Sequence, residues 1–358
     1  MSTLSLMLLL VGGCSQKNPH YDPKKPHHRP NGFVNSNGDP NNKPLRDVLR
    51  WSWQRWRAGL PHAPTQRFQG YAGIPMRMPD LEQLQHNCQS NPQPYCQTAQ
   101  VLWMGHTSML LQSQGLNVLI DPHFSKRASP LSWFGPKRKA ESPVQLAQLP
   151  SIDVVLISHN HYDHLDLATV QALAQQASGE PLFLVPLGLE AWFRRQGIHN
   201  VQSLDWWEQH IYQGVTFNFV PAHHWSSRSP FDRNASLWGG WVTQAEDGVF
   251  YYAGDTGWSA DFAAIGQRFS EIDLAAIPVG AYAPRWFMAA QHINPTEAVQ
   301  VFQALQPRRA FGVHWGTFEL TDEALDQPMI DLELALAQAG VDTSLFVMPE
   351  HGQVIPLR

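Results

Sequence analysis

At 358 residues with an apolar share of 43%, the chain can bury one large core or two smaller ones. Its net charge of -5 argues against nucleic acid as a partner, because that is bound through clustered Lys and Arg. Seventeen His and fourteen Trp stand out, the first pointing to metal and the second in part to lipid.

Residues 4–11 form an apolar run ending at Val11-Gly12-Gly13-Cys14, too short to span a bilayer. Small residues before a cysteine are what a lipoprotein signal peptidase needs. Residues 1–13 are therefore read as a signal peptide and Cys14 as the lipid anchor of the mature chain. This places the protein in the cell envelope, facing the periplasm and held at the outer membrane. Residues 1–6 hold no Lys or Arg, whereas such leaders open on positive charge, which points to a start upstream of Met1; a frayed apolar end is the alternative.

Residues 14–43 are rich in Pro, Asn, Lys and His without periodicity and read as a tether between lipid and folded body. An extension over 44–100 follows. Within it, residues 46–60 set Leu49, Trp53 and Trp56 at helical spacing among Arg50, Arg55 and Arg57. That pattern suits a helix lying on a membrane through Trp53 and Trp56, or equally a helix packed into a core. Cys88 and Cys96 flank a short loop, for which we expect a disulfide worth about 2–3 kcal/mol in the chain-entropy model. Such a bond fits an oxidising compartment.

From residue 101 to 358 the pattern changes to short apolar strands separated by turns and helices. Apolar runs at 101–104, 108–112, 117–121, 152–158, 181–185, 215–220, 237–243, 249–253, 274–279 and 310–313 predict strands. Helical periodicity occupies 165–176, 260–269, 295–305 and 330–339. Strands and helices in both halves imply an α+β chain with two sheets face to face and helices outside.

The run 152–158 leads straight into His159-Asn160-His161-Tyr162-Asp163-His164. Imidazole and carboxylate donors are what zinc takes when a position must stay open for water. Two His at alternate positions can face one ion, and Asp163 with His164 can turn towards a second. Later runs end in the same residue types: 215–220 in His223-His224, 249–253 in Asp255, and 310–313 in His314. Asp255 can bridge two ions about 3.5–4 Å apart, with a shared hydroxide as the nucleophile.

The His-x-His-x-Asp-His run and its later partners resemble the metallo-β-lactamase superfamily. Longer motifs narrow the resemblance to the N-acylphosphatidylethanolamine-hydrolysing phospholipase D family. They include Trp103-Met104-Gly105-His106-Thr107-Ser108, Ile120-Asp121-Pro122, Leu204-Asp205-Trp206-Trp207-Glu208, Gly280-Ala281-Tyr282-Ala283-Pro284 and His314-Trp315-Gly316-Thr317-Phe318. The resemblance implies an αβ/βα four-layer sandwich, two zinc ions and cleavage of a phospholipid phosphodiester by a metal-bridging hydroxide. Iron or manganese suits the same donors. It assigns His159, His161 and His224 to one ion, Asp163, His164 and His314 to the other, and Asp255 to both. By the family's His-Trp step, His224 rather than His223 is the ligand.

Asp121 is expected to orient a ligand imidazole, or else to form the turn before Pro122. His106 and His292 are candidates to hydrogen-bond the phosphate or protonate the leaving oxygen, with a structural role as the alternative. With Asp163 and Asp255 they complete the catalytic set. A β-lactamase of the common type needs a cysteine ligand, yet every cysteine precedes residue 97. A lactonase or thioesterase would keep all seven ligands, and a non-catalytic surface metal module would instead favour a closed mononuclear site.

Overall fold

The computed structural model describes residues 17–60, 66–89 and 95–358; the expected signal peptide and lipid-anchor cysteine Cys14 lie outside the described residues. The chain begins with a hairpin of β1 (His28–Arg29) and β2 (Gly32–Phe33), helix α1 (Leu45–Ala58), helix α2 (Leu81–His86) and a hairpin of β3 (Cys88–Gln89) and β4 (Tyr95–Cys96). The first half of the body runs β5 (Gln100–Trp103), β6 (Met109–Ser113), β7 (Leu116–Ile120), β8 (Val154–Leu156), α3 (Leu167–Ala174), β9 (Leu182–Pro186), α4 (Glu190–Arg195) and β10 (Val201–Leu204). The second runs β11 (Gln209–Tyr212), β12 (Val215–Val220), β13 (Gly240–Ala245), β14 (Gly248–Tyr252), α5 (Asp261–Arg268), β15 (Leu274–Pro278), α6 (Arg285–Met288), α7 (Pro295–Leu305), β16 (Arg309–Val313), α8 (Gln327–Ala339), β17 (Phe346–Val347) and β18 (Val354–Pro356).

These strands build two seven-stranded sheets, β10-β9-β8-β7-β6-β5-β18 and β11-β12-β13-β14-β15-β16-β17. Alternation along the first sheet explains why its strands read as unbroken apolar runs. Val101, Trp103, Met109, Val118, Ile120, Val154 and Leu156 share an apolar cluster with Phe217, Phe219, Trp241 and Phe250 of the second sheet. The intervening Leu102, Leu110, Leu119, Val155 and Phe183 pack with Val170 and Leu173 of α3 and Phe193 of α4. Helices α5, α7 and α8 join the second sheet through Ile265, Val301, Phe302 and Leu332. The result is the expected αβ/βα four-layer sandwich.

Strand β18 crosses back to pair antiparallel with β5, Ile355 opposite Val101, so the end of the second half completes the first sheet. It escapes sequence reading because it is three residues long and ends on Pro356, a residue tolerated at a sheet edge. Cys88 and Cys96 face each other across β3 and β4 and are joined by a disulfide.

The described part of the expected tether, residues 17–43, is instead a packed strap. Phe33 and Val34 are buried, as are His27, His28, Asn35 and Asn41. Its polar side chains meet specific partners on the body rather than a periodic apolar face, which is why composition alone suggested a spacer. Helix α1 differs from the core reading in the opposite direction, since none of its residues is buried. It docks through Trp51, which stacks on Phe287 at 4.9 Å and donates from Nε1 to Asp322 at 3.0 Å. Trp53 and Trp56 face outward, 53% and 79% exposed. No helix among the described residues is long and apolar enough to cross a membrane.

Candidate metal centre

The sandwich gathers strand ends at one rim. Strands β7, β8 and β9 run parallel, as do β14, β15 and β16, so Asp121 and the His159–His164 loop follow C-terminal ends in one sheet, and Asp255 and His314 in the other. This is where open parallel sheets place their sites. His224 follows the end of β12. Asp121 and His314 adopt left-handed backbone, with φ of 39° and 64°, which turns the chain sharply as it leaves each strand.

Two groups of donors converge. In the first, His161 Nδ1 lies 2.8 Å from His159 Nε2 and 3.2 Å from His224 Nε2. In the second, Asp163 Oδ2 lies 3.3 Å from His164 Nε2 and 3.5 Å from His314 Nε2. Asp255 Oδ2 stands between them. It is 3.2 and 3.1 Å from His164 and His314, and 3.9 and 3.8 Å from His159 and His224. The Nε2 atoms of His164 and His314 and Oδ1 of Asp255 are buried with no hydrogen-bond partner among the described residues. In each group the possible ligand atoms lie within 4.8 Å of one another, the spacing that donors about 2.0–2.2 Å from a shared ion require. The residues therefore fit two divalent cations.

Charge agrees with geometry. Burial holds His159 and His161 neutral, well below the usual imidazole range, and His224 down to about 4; neutral imidazole is the ligating form. Burial opposes charge on Asp163 and Asp255, but neighbouring His164 outweighs it and keeps both carboxyls well below their usual range. Burial also opposes charge on His164 and His314. There Asp255 prevails, raising His164 well above its usual range and His314 to about 9. A cation entering the second group must displace these protons, so its binding strengthens as pH rises towards about 9.

Behind the donors sits a second layer of contacts. Asp121, fully buried, accepts from His164 Nδ1 at 2.8 Å and Tyr252 OH at 2.6 Å, and its other oxygen accepts from Ser158 N at 2.7 Å. This contact leaves Nε2 of His164 facing the centre. His224 is oriented likewise, its Nδ1 lying 2.9 Å from the carbonyl of Gln291. His223, its neighbour, points away towards Asp39, 3.9 Å distant.

His106 departs from its expected role. Its buried ring places Nε2 2.8 Å from Asp163 Oδ2, so it holds a carboxylate and is not free to meet a phosphate. His292 remains at the centre, with Nδ1 3.8 Å from Asp255 Oδ2 and no hydrogen-bond partner among the described residues. Sequence reading missed Ser158, Tyr252, Gln291 and Arg228, because their partners are distant in the chain or are backbone groups. Arg228 staples the ligand loop, donating to the carbonyls of Asn160 at 2.9 Å and Leu165 at 2.7 Å.

Tyr162 and Leu165, from the ligand loop itself, line a cleft of about 780 Å³ with Lys126, Arg127, Trp192 and Arg228. Leu131 also lines it, and Trp133 and Phe134, further along that loop, are exposed. The cleft thus brings three cationic side chains, offset in part by Asp166 and Asp232, beside the apolar Leu131, Leu165, Leu167 and Trp192, a combination suited to an amphiphile.

A family model described as the β-lactamase superfamily domain matches residues 116–315. The chain is 39% identical to N-acyl-phosphatidylethanolamine-hydrolyzing phospholipase D 1 of Caenorhabditis elegans over 264 residues, 70% of this chain and 74% of that protein. It is 37% identical to the mitochondrial N-acyl-phosphatidylethanolamine-hydrolyzing phospholipase D of Saccharomyces cerevisiae over 261 residues, 70% of this chain but 54% of that one. The solved isothiocyanate hydrolase from Delia radicum gut bacteria matches the fold with a TM-score of 0.58 at 20% identity, covering 72% of this chain and 98% of its own. With its donor-rich rim, the chain is a metal-dependent hydrolase of the metallo-β-lactamase superfamily and belongs there to the N-acyl-phosphatidylethanolamine-hydrolysing phospholipase D family.

Proposed function

We propose that the protein is a phospholipase D-type phosphodiesterase that cleaves N-acylphosphatidylethanolamine or a related phospholipid, using two zinc ions held by His159, His161, His224, Asp163, His164, His314 and Asp255. The observation that carries this reading is Asp255 Oδ2, within 3.9 Å of imidazoles from both donor groups. Bound there, a pair of divalent cations supplies an activated water and positive charge for a phosphodiester. Mixed nitrogen and carboxylate donors suit zinc, and iron or manganese would meet the same set.

The chain's own groups do the remaining work. Asp121 and His106 fix His164 and Asp163 by the hydrogen bonds described above. Burial holds His292 neutral, well below the usual imidazole range. Its free Nδ1 thus serves as a hydrogen-bonding group for a substrate oxygen at the centre, not as a cation. Lys126, Arg127 and Arg228 give the cleft positive charge for a phospholipid headgroup, and its apolar rim receives the adjoining acyl chains.

The same reading keeps Trp53 and Trp56 as membrane contacts and Cys14 as a lipid anchor in the cell envelope. Full-chain protein offered vesicles of N-acylphosphatidylethanolamine, a lactone and a thioester should turn over the phospholipid preferentially, releasing phosphatidic acid. In protein without a lipid on Cys14, Trp53→Ala with Trp56→Ala should lower turnover and flotation on vesicles about tenfold, while leaving turnover of detergent-dispersed lipid intact. Preferential lactone or thioester hydrolysis would overturn the substrate assignment, and unchanged flotation would overturn the role of α1.

A further inference from the structure

The strap of residues 17–43 reaches the metal centre through one side chain. Asn35 is 0% exposed, and its carboxamide brackets the backbone of His224. Oδ1 accepts from His224 N at 2.9 Å, and Nδ2 donates to His224 O at 3.1 Å. The same Oδ1 accepts from Trp238 Nε1 at 3.0 Å, and the same Nδ2 donates to the carbonyl of Asp39 at 3.0 Å. Both lone pairs and both N–H groups of the amide are thereby used. With Gln291 O holding the ring at Nδ1 and Asn35 holding the peptide, His224 Nε2 has one direction left, towards the first donor group.

The strap is itself fastened to the body. Phe33 N donates to Asn234 O at 2.9 Å. At Gly32, with φ of 150°, a Cβ would stand 2.4 Å from that same carbonyl, so only glycine allows the approach. Further along, buried Asp205 meets Lys25 Nζ at 2.5 Å, His27 Nε2 at 2.7 Å and His28 Nε2 at 2.9 Å. Two imidazoles and a carboxylate could suggest a further cation site, but the Lys25 ammonium already supplies the positive charge at Asp205. These groups form a latch.

We infer that Asn35 is a positioning residue for the metal ligand His224, and that the strap is part of the metal centre. The inference rests on the metal-centre reading and is independent of which lipid is cleaved. An aspartate at this place would turn an acceptor towards the His224 carbonyl, and an alanine would release both sides of its peptide.

Full-chain Asn35→Ala and the isosteric Asn35→Asp should keep the circular dichroism of the unmutated protein. Each should lose zinc to a competing chelator at 10- to 100-fold lower chelator concentration, the scale on which supporting contacts affect metal affinity. The ion held by the first donor group should leave first. Ser36→Ala, which removes only the strap's bond from Ser36 Oγ to Asp261 Oδ2, should retain both ions. Should Asn35→Ala not fold, Asn35→Asp carries the comparison alone. Equal zinc retention by the Asn35 variants and the unmutated protein would overturn the inference, as would equal loss from Ser36→Ala. Failure of the unmutated protein to hold any metal would instead overturn the metal centre itself.

Discussion

Asp255→Ala is expected to lower phosphodiester hydrolysis by more than about 10³-fold. Its Oδ2 is the atom both imidazole groups share, at 3.1–3.9 Å. Removing it would take a ligand from each proposed ion at once and leave Nε2 of His164 and of His314 facing one carboxylate, Asp163, where each had two. Metal-assisted charge stabilisation and water activation are worth several kcal/mol, and each 1.36 kcal/mol is a factor of ten, hence the size of the loss. Metal content should fall together with turnover, read by elemental analysis after gel filtration. A variant that keeps its full metal complement and a tenth or more of the activity would show that Asp255 is not the shared ligand.

Asp121→Asn should have the next largest effect, although this residue is not among the proposed ligands. Its carboxylate accepts from Ser158, His164 and Tyr252 in a fully buried place. An amide keeps the shape but points N–H groups at donors, and it removes the charge that fixes the tautomer of His164. Metal affinity should drop about 10- to 100-fold, and stability by about 3 kcal/mol, as when one partner of a buried charged network is lost. Calorimetric zinc titration of the folded variant measures the first effect and urea unfolding the second. Unchanged zinc affinity would reduce Asp121 to a turn residue before Pro122.

The donor set was legible because each ligand candidate sits where an apolar run stops, and a strand's end fixes its neighbours in space. His159 to His164 carry the strongest signal, since four donors follow one buried strand within six positions. The sandwich was legible for a related reason: strands buried on both faces leave continuous apolar runs. What stayed hidden depends on contacts between distant residues. His106 looks available to substrate until the fold sets it against Asp163, 57 positions away. Asn35 lies in a polar, proline-rich segment, and nothing in its composition says that its amide brackets a residue 189 positions later. For α1 the periodic Trp residues fitted either environment, and the exposure of Trp53 and Trp56 excludes only the core.

Removing and restoring metal tests the account most directly. Active full-chain protein should contain about two transition-metal ions per chain, lose turnover of N-acylphosphatidylethanolamine when these are stripped by a chelator, and regain it when zinc is returned. Undiminished turnover in a preparation from which every transition metal has been removed would contradict it.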